Sequence, residues 1–151
     1  MKILIETLVA QNYKDVFAQF DRDLFLALKP PLINLQLERF DGCNKGDKVE
    51  MQLGILGVQQ SWKALIVEQQ ENSDAIYFID EGVEIPPPIK HWRHRHTLKN
   101  IAERQTMIVD DIEFSTGNSV LDLLMYPIMY LLFWYRKPIY RNYFVRKNDN
   151  K

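Results

Sequence analysis

Residues 119–135 read SVLDLLMYPIMYLLFWY. Apolar side chains fall on nearly all sides of a helical wheel, broken by Asp122, and a helix of that kind is buried on most of its surface. Pro127 kinks it, or marks its first turn if the helix starts later. The segment is shorter than the roughly 20 residues that span a bilayer, and Asp122 and Pro127 also argue against a membrane span. It is the chain's one long apolar element, so whatever sheet precedes it must use it as a cover.

Upstream of it the pattern is one of alternation. Residues 2–10 read as a strand. Asn12 is an N-cap for a short helix with Asp15 in its first turn, and Val16, Phe17 and Phe20 make its apolar stripe. Asp21 or Asp23 starts a second short helix through Leu28, stopped by Pro30-Pro31. Extended segments follow: 32–40, then Val49 to Ile55, Trp62 to Glu68, Ala75 to Glu81, the stretch from His91, and Thr106 to Phe114. Turn signals separate them at Asp41-Gly42, Lys45-Gly46-Asp47 and the polar stretch 69–74. Gly54 and Gly57 suggest a bend or bulge, and Pro86-Pro87-Pro88 a stiff break. Consecutive strands with short turns imply an antiparallel meander.

Bulk properties bound the function. With 151 residues and 46% apolar content, the chain supports a single domain, 1–151, with a real core. A net charge of -1 offers no global attraction for nucleic acid. The single cysteine, Cys43, has no intramolecular disulfide partner and suits a reducing compartment. Glu6 places a charge too early for a secretory leader. The protein is therefore expected in the cytoplasm. Residues 136–151 read as a basic, aromatic C-terminal tail with Lys/Arg at 136, 137, 141, 146, 147 and 151.

All three histidines lie in His91-Trp92-Arg93-His94-Arg95-His96. On a strand, alternate side chains share a face. Trp92, His94 and His96 then point one way, and His91, Arg93 and Arg95 the other. A hairpin turning near 102–104 pairs His96 with Asp110, His94 with Ile112 and Trp92 with Phe114 inside. The same register sets Arg95 against Asp111 and Arg93 against Glu113 outside.

The order of elements resembles the START-like helix-grip superfamily, also called SRPBCC domains. The residues that carry the resemblance are Asn12-Tyr13-Lys14-Asp15-Val16-Phe17, which look like the family's entry into its first helix, and Gly46-Asp47 with the alternating strand after it. Trp92-Arg93-His94-Arg95-His96 resembles the penultimate strand of a polyketide-cyclase-like subset. The resemblance implies an α+β helix-grip fold, a curved antiparallel sheet of about six to seven strands wrapped around a long C-terminal helix. Two short helices follow strand one, and an elongated cavity lies between sheet and long helix. It implies no catalytic residue, since the superfamily shares no catalytic motif.

The expected function is binding of an apolar small molecule, lipid-, polyketide- or isoprenoid-like, between the sheet and the C-terminal helix. Trp62, Trp92, Ile112, Phe114, Tyr126 and Tyr130 supply contact area, and His94, His96 and Asp110 the polar end. One alternative is a cyclase or hydrolase with His96 as base and Asp110 as its orienter. Another is an interaction module: the aromatic helix suits a homodimer interface, and the basic tail a peripheral contact with a membrane. His94 and His96 share a face and Asp110 is a candidate third ligand, but nothing supplies a fourth. A metal site is not expected, and no cofactor is implied. Asp80-Glu81 and Asp110-Asp111 are acid doublets whose neighbours face opposite ways, so neither is a carboxylate dyad, although one acid of each can meet across the sheet.

Overall fold

Strand alternation is written into the burial of the histidine strand. From His91 to Ala102, Trp92, His94, His96 and Leu98 are buried, while the residues between them are more open. In this computed structural model, which describes all residues except Leu32, Leu56 and 147–151, that strand is β6 of one sheet.

The elements in chain order are β1 (Lys2–Val9), α1 (Tyr13–Ala18), α2 (Arg22–Ala27), β2 (Asn34–Phe40), β3 (Lys48–Ile55), β4 (Val58–Glu71), β5 (Ala75–Glu84), β6 (His91–Ala102), β7 (Gln105–Ser115), α3 (Ser119–Trp134) and α4 (Arg136–Arg146). The seven strands are ordered β1-β7-β6-β5-β4-β3-β2, every neighbouring pair antiparallel. This is the helix-grip architecture.

Local chemistry sets the boundaries. The Asn12 side chain accepts from the Lys14 N–H and the Asp21 side chain from the Leu24 N–H, capping α1 and α2. Gly57, at a φ of +82°, lies between β3 and β4, so the expected bend there is a chain reversal. Register shifts fall instead between β2 and β3, between β4 and β5 and at the end of the β6–β7 pair, where they bend the sheet. Asp122 is an anchor for α3, not a flaw in it. Its carboxylate accepts from the Thr116 N–H at 2.6 Å and the Thr116 hydroxyl at 2.8 Å, while Asn118 caps the helix.

Two expectations are corrected. First, α3 is not buried on most of its surface. Met129 and Phe133 are buried and Met125 half-buried, but Val120, Leu123, Leu124, Ile128, Leu131 and Trp134 are 50–69% exposed. One stripe suffices to cover the sheet, so the opposite face stays in solvent. Second, residues 136–146 are a helix and not a tail. They form α4, which buries Tyr140 and Phe144 completely against Val9, Tyr13, Val16, Leu24 and Leu98. Ile139, Tyr140, Tyr143 and Phe144 recur at helical spacing, so one face is apolar although the composition is basic. Lys147 and Lys151 lie outside the described residues.

The core therefore has two main ends. One packs α1, α2 and α4 on the sheet; the other packs Met129 and Phe133 of α3 on Ile3, Ile5, Trp92, Ile112 and Phe114.

Candidate functional site

Between those ends lies a cavity of about 350 Å³. Its walls come from α1–α2 (Phe20, Leu24, Leu28), from β2–β6 (Leu35, Met51, Trp62, Ala64, Phe78, Trp92), from Pro86-Pro87-Pro88, from α3 (Met125, Met129, Phe133) and from α4 (Arg136, Tyr140). They are mostly hydrophobic. The main polar interruption is on one wall, where Asp80, His94 and His96 face in.

Strand pairing builds that wall. The β6–β7 register is the expected one, with His96↔Asp110, His94↔Ile112 and Trp92↔Phe114. It runs to Asn100↔Thr106 before a bulge shifts the last pair. On the far side of β6, Asp80 of β5 stands opposite His94 and Phe78 opposite His96. The two carboxylates thus approach the two imidazoles from opposite sides.

Asp110 Oδ1 lies 3.0 Å from His94 Nε2 and 3.2 Å from His96 Nδ1. Asp80 Oδ2 lies 3.6 Å from His94 Nδ1 and 3.3 Å from His96 Nε2. The two rings stand 3.7 Å apart between centroids. The Trp92 indole N–H donates to Asp80 Oδ1 at 2.9 Å. Phe78 stacks on His96 at 4.4 Å, and Phe133 meets His94 edge-on at 5.2 Å, so packing holds both rings.

These contacts shape the ionisation. Burial would push the Asp110 carboxyl up, but the hydrogen bonds and charge of His94 and His96 outweigh it and hold the group well below the usual carboxylate range. Asp80 is likewise lowered: burial opposes, and His96, His94 and the Trp92 N–H win. Burial and the adjacent His96 lower His94 more than the two carboxylates raise it. His96 is raised, because Asp110 and Asp80 together overcome its burial.

Of the residues expected to line the cavity, Trp62, Trp92, His94 and His96 do so. Ile112 and Phe114 do not; both are fully buried in the core behind it. Tyr126 packs on that core without reaching the cavity, and Tyr130 is 37% exposed on the outside of α3. Asp110 sits behind the histidines and is shielded from the cavity by them.

Three polar contributors went unassigned in the sequence. Asp80 is one; its acid doublet was visible, but no β5–β6 register was available to aim it. Arg136 and Tyr140 are the others, assigned to a tail. Arg136 stacks over Phe133 at 4.2 Å. The Tyr140 hydroxyl is buried beside the Arg136 guanidinium without a well-formed hydrogen bond, and burial raises its pKa. On the sheet's outer surface, Arg93 pairs with Glu81 at 3.3 Å rather than with Glu113, and Arg95 lies over the Tyr77 ring. Lys2 of β1 takes Asp111 and Glu113 instead, at 3.1 and 3.6 Å.

No family model matches the sequence, and no curated protein is similar to it. Solved structures do share the fold. An aromatase/cyclase from Streptomyces sp. R1128 is 15% identical, covers 81% of this chain and 72% of its own, and superposes with a TM-score of 0.55. A major latex-like protein from Panax ginseng is 17% identical over 87% of this chain and 95% of its own, with a TM-score of 0.55. Norcoclaurine synthase from Thalictrum flavum, solved with dopamine and hydroxybenzaldehyde, is 12% identical over 92% of this chain and 86% of its own, with a TM-score of 0.57.

Proposed function

We propose that this protein binds an apolar small molecule, lipid-, polyketide- or isoprenoid-like, in the cavity between the sheet and the C-terminal helices. The observation that carries the proposal is the cavity itself, about 350 Å³ with mostly hydrophobic walls and one polar wall of Asp80, His94 and His96. That volume lies in the range of small-molecule sites. A ligand burying roughly 300 Å² of apolar surface gains about 7 kcal/mol before the costs of ordering. The polar wall then sets its orientation. Structures of the same fold that hold small molecules, such as the synthase complex with dopamine and hydroxybenzaldehyde, support the reading.

The test uses two indoles that already line the cavity, Trp62 and Trp92. Titration with the apolar fluorophore N-phenyl-1-naphthylamine should give saturable, one-to-one energy transfer from these residues. Met51→Trp, which places bulk in the cavity, should abolish it in protein that remains folded by circular dichroism. Absence of saturable binding to the unmodified protein would refute the proposal.

A cyclase or hydrolase role for His96 and Asp110 finds less support. Asp110, the expected orienter of His96, is hydrogen-bonded to His94 Nε2 instead, and His96 Nδ1, 3.2 Å from the same oxygen, makes no well-formed hydrogen bond. The outer face of α3 favours one further contact, with a membrane surface. Leu123, Leu124, Leu131 and Trp134 are exposed there, and Lys137 and Arg141 of α4 lie at the same end as Trp134. No helix among the described residues is long and apolar enough to cross a membrane. Flotation with anionic liposomes should be lost in Leu124→Glu/Leu131→Glu; equal flotation of the two proteins would remove that contact.

A further inference from the structure

We infer that Asp80, His94 and His96 form a binding site for one divalent transition-metal ion, zinc being the expected occupant, with an open coordination position on the cavity.

The first observation is spacing. One ligand atom from each of the three residues lies within 4.8 Å of the other two. Asp80 Oδ2 is 3.3 Å from His96 Nε2 and 3.6 Å from His94 Nδ1. Around a tetrahedral zinc with bonds of about 2.0–2.2 Å, ligand atoms stand roughly 3.4 Å apart. An ion at the common centre of these atoms would need little movement of the side chains.

The second observation is what lies behind the three atoms. Metal-binding histidines usually donate their other ring N–H to a carboxylate, which fixes tautomer and aim. Here Asp110 Oδ1 takes that place for His94, hydrogen-bonded to its Nε2 at 3.0 Å, and lies 3.2 Å from His96 Nδ1 without a well-formed hydrogen bond to it, both nitrogens being the ones turned away from Asp80. Asp80 is supported in the same manner, its Oδ1 held by the Trp92 N–H at 2.9 Å, which leaves Oδ2 to the ion. The inner atoms of the three residues lie within 4.8 Å of one another, and for two of the three, His94 and Asp80, the outer atom is hydrogen-bonded. A simple ion pair requires only one such contact.

The third observation is rigidity and access. Both rings are held by aromatic neighbours, Phe78 and Phe133, on strands and helix rather than on loops. Asp80, His94 and His96 all line the cavity, so the position opposite them opens onto it. Two imidazoles and a carboxylate form a donor set that suits zinc, cobalt(II) or iron(II), and three protein ligands leave room for water or a ligand oxygen. A dication also balances the two buried carboxylates once both imidazoles are neutral, as ligation requires. The sequence offered Asp110 as a third ligand and argued against a metal for want of a fourth; here the third ligand is Asp80 of β5, with the β7 carboxylate behind, and three protein ligands suffice for a site with an open position.

The inference goes beyond the apolar-ligand proposal and stands apart from it. Full-length protein stripped with EDTA and titrated with cobalt(II) should show visible ligand-field bands that saturate at one equivalent. One equivalent of zinc should bleach them. His96→Gln and Asp80→Asn should each weaken zinc binding at least a hundredfold. Asp110→Asn, a positioning change, should weaken it roughly 10–100-fold while keeping the cobalt spectrum. His91→Gln, on the exposed face, should change nothing. Lack of saturable binding to the unmodified protein overturns the inference, and so does equal affinity in folded His96→Gln, or loss of binding in His91→Gln. Binding of N-phenyl-1-naphthylamine without binding of metal would refute the metal site and leave the cavity proposal intact.

Discussion

Phe144→Ala separates a packed α4 from a solvated tail. Phe144 is fully buried, its ring parallel to Tyr140 at 6.4 Å and edge-on to Tyr143 at 5.5 Å. It closes the cluster in which α1, α2 and β1 meet β6. Cutting a core phenylalanine to alanine costs about 3–5 kcal/mol, through lost transfer energy and the void left behind. A chain of this size has a total stability of roughly 5–15 kcal/mol, so about a fifth or more is at stake. At about 2–4 °C per kcal/mol, Tm should fall by roughly 6–20 °C. The assay is urea and thermal unfolding followed by circular dichroism. Val145 is the internal comparison: it is next in sequence but 47% exposed, and Val145→Ala should stay within about 0.5 kcal/mol. If Phe144→Ala melts within about 2 °C of the unmodified protein, α4 is not part of the core, and the cavity loses the wall that Arg136 and Tyr140 provide.

Two further outcomes follow from closely packed positions. A Cβ on Gly82 would stand 2.6 Å from Ile85 Cγ2 and 3.2 Å from Trp92 Cβ; Gly82→Ala should therefore cost about 1–3 kcal/mol and alter the near-ultraviolet circular dichroism of Trp92, and an unchanged spectrum at unchanged stability would contradict that packing. Burial, with the charges of Asp80, Asp47 and Asp21, pushes the Cys43 thiol up to about 12 from an ordinary value near 9. Alkylation by iodoacetamide at pH 8 should then be roughly a thousandfold slower in the native than in the urea-unfolded protein. The sign of the linkage is also set: the unfolded chain gives up this proton first, so stability is full below about pH 9 and falls as pH rises toward 12. Native alkylation at the unfolded rate would show the thiol to be open.

The fold was legible where alternation and charge had one consistent solution. The β6–β7 register is such a case: a one-residue slip would have set Arg93 and Arg95 against Phe114 and Ile112, and pairing opposite signs outside with apolar groups inside favoured the register observed. Asp80 was illegible for a different reason. It and His94 stand seven residues to either side of Pro87, and are partners only if the chain reverses about that residue, as it does. The proline run read as a break between elements, and a break carries no register. On α3, composition exceeded what the sheet could cover, so the wheel alone overstated burial. On α4 the reverse held, because arginines and lysines masked the spacing of Tyr140 and Phe144. The cavity follows from how the two C-terminal helices divide the work, and no local pattern encodes that division.

The pairing of β1 with β7 has a consequence for how the protein comes into being. Ile5 stands opposite Asp110 in the strand pairing, more than a hundred residues away. Until β7 emerges from the ribosome, β6 presents an unpaired edge and β1 has no neighbour, a state open to edge-to-edge association. Contacts of such long sequence separation place folding toward the slow end of the scale for single domains, on the order of milliseconds to seconds. The imidazoles of β6 are synthesised before the β7 carboxylate that backs them, so the polar wall is completed only once β7 has joined the sheet.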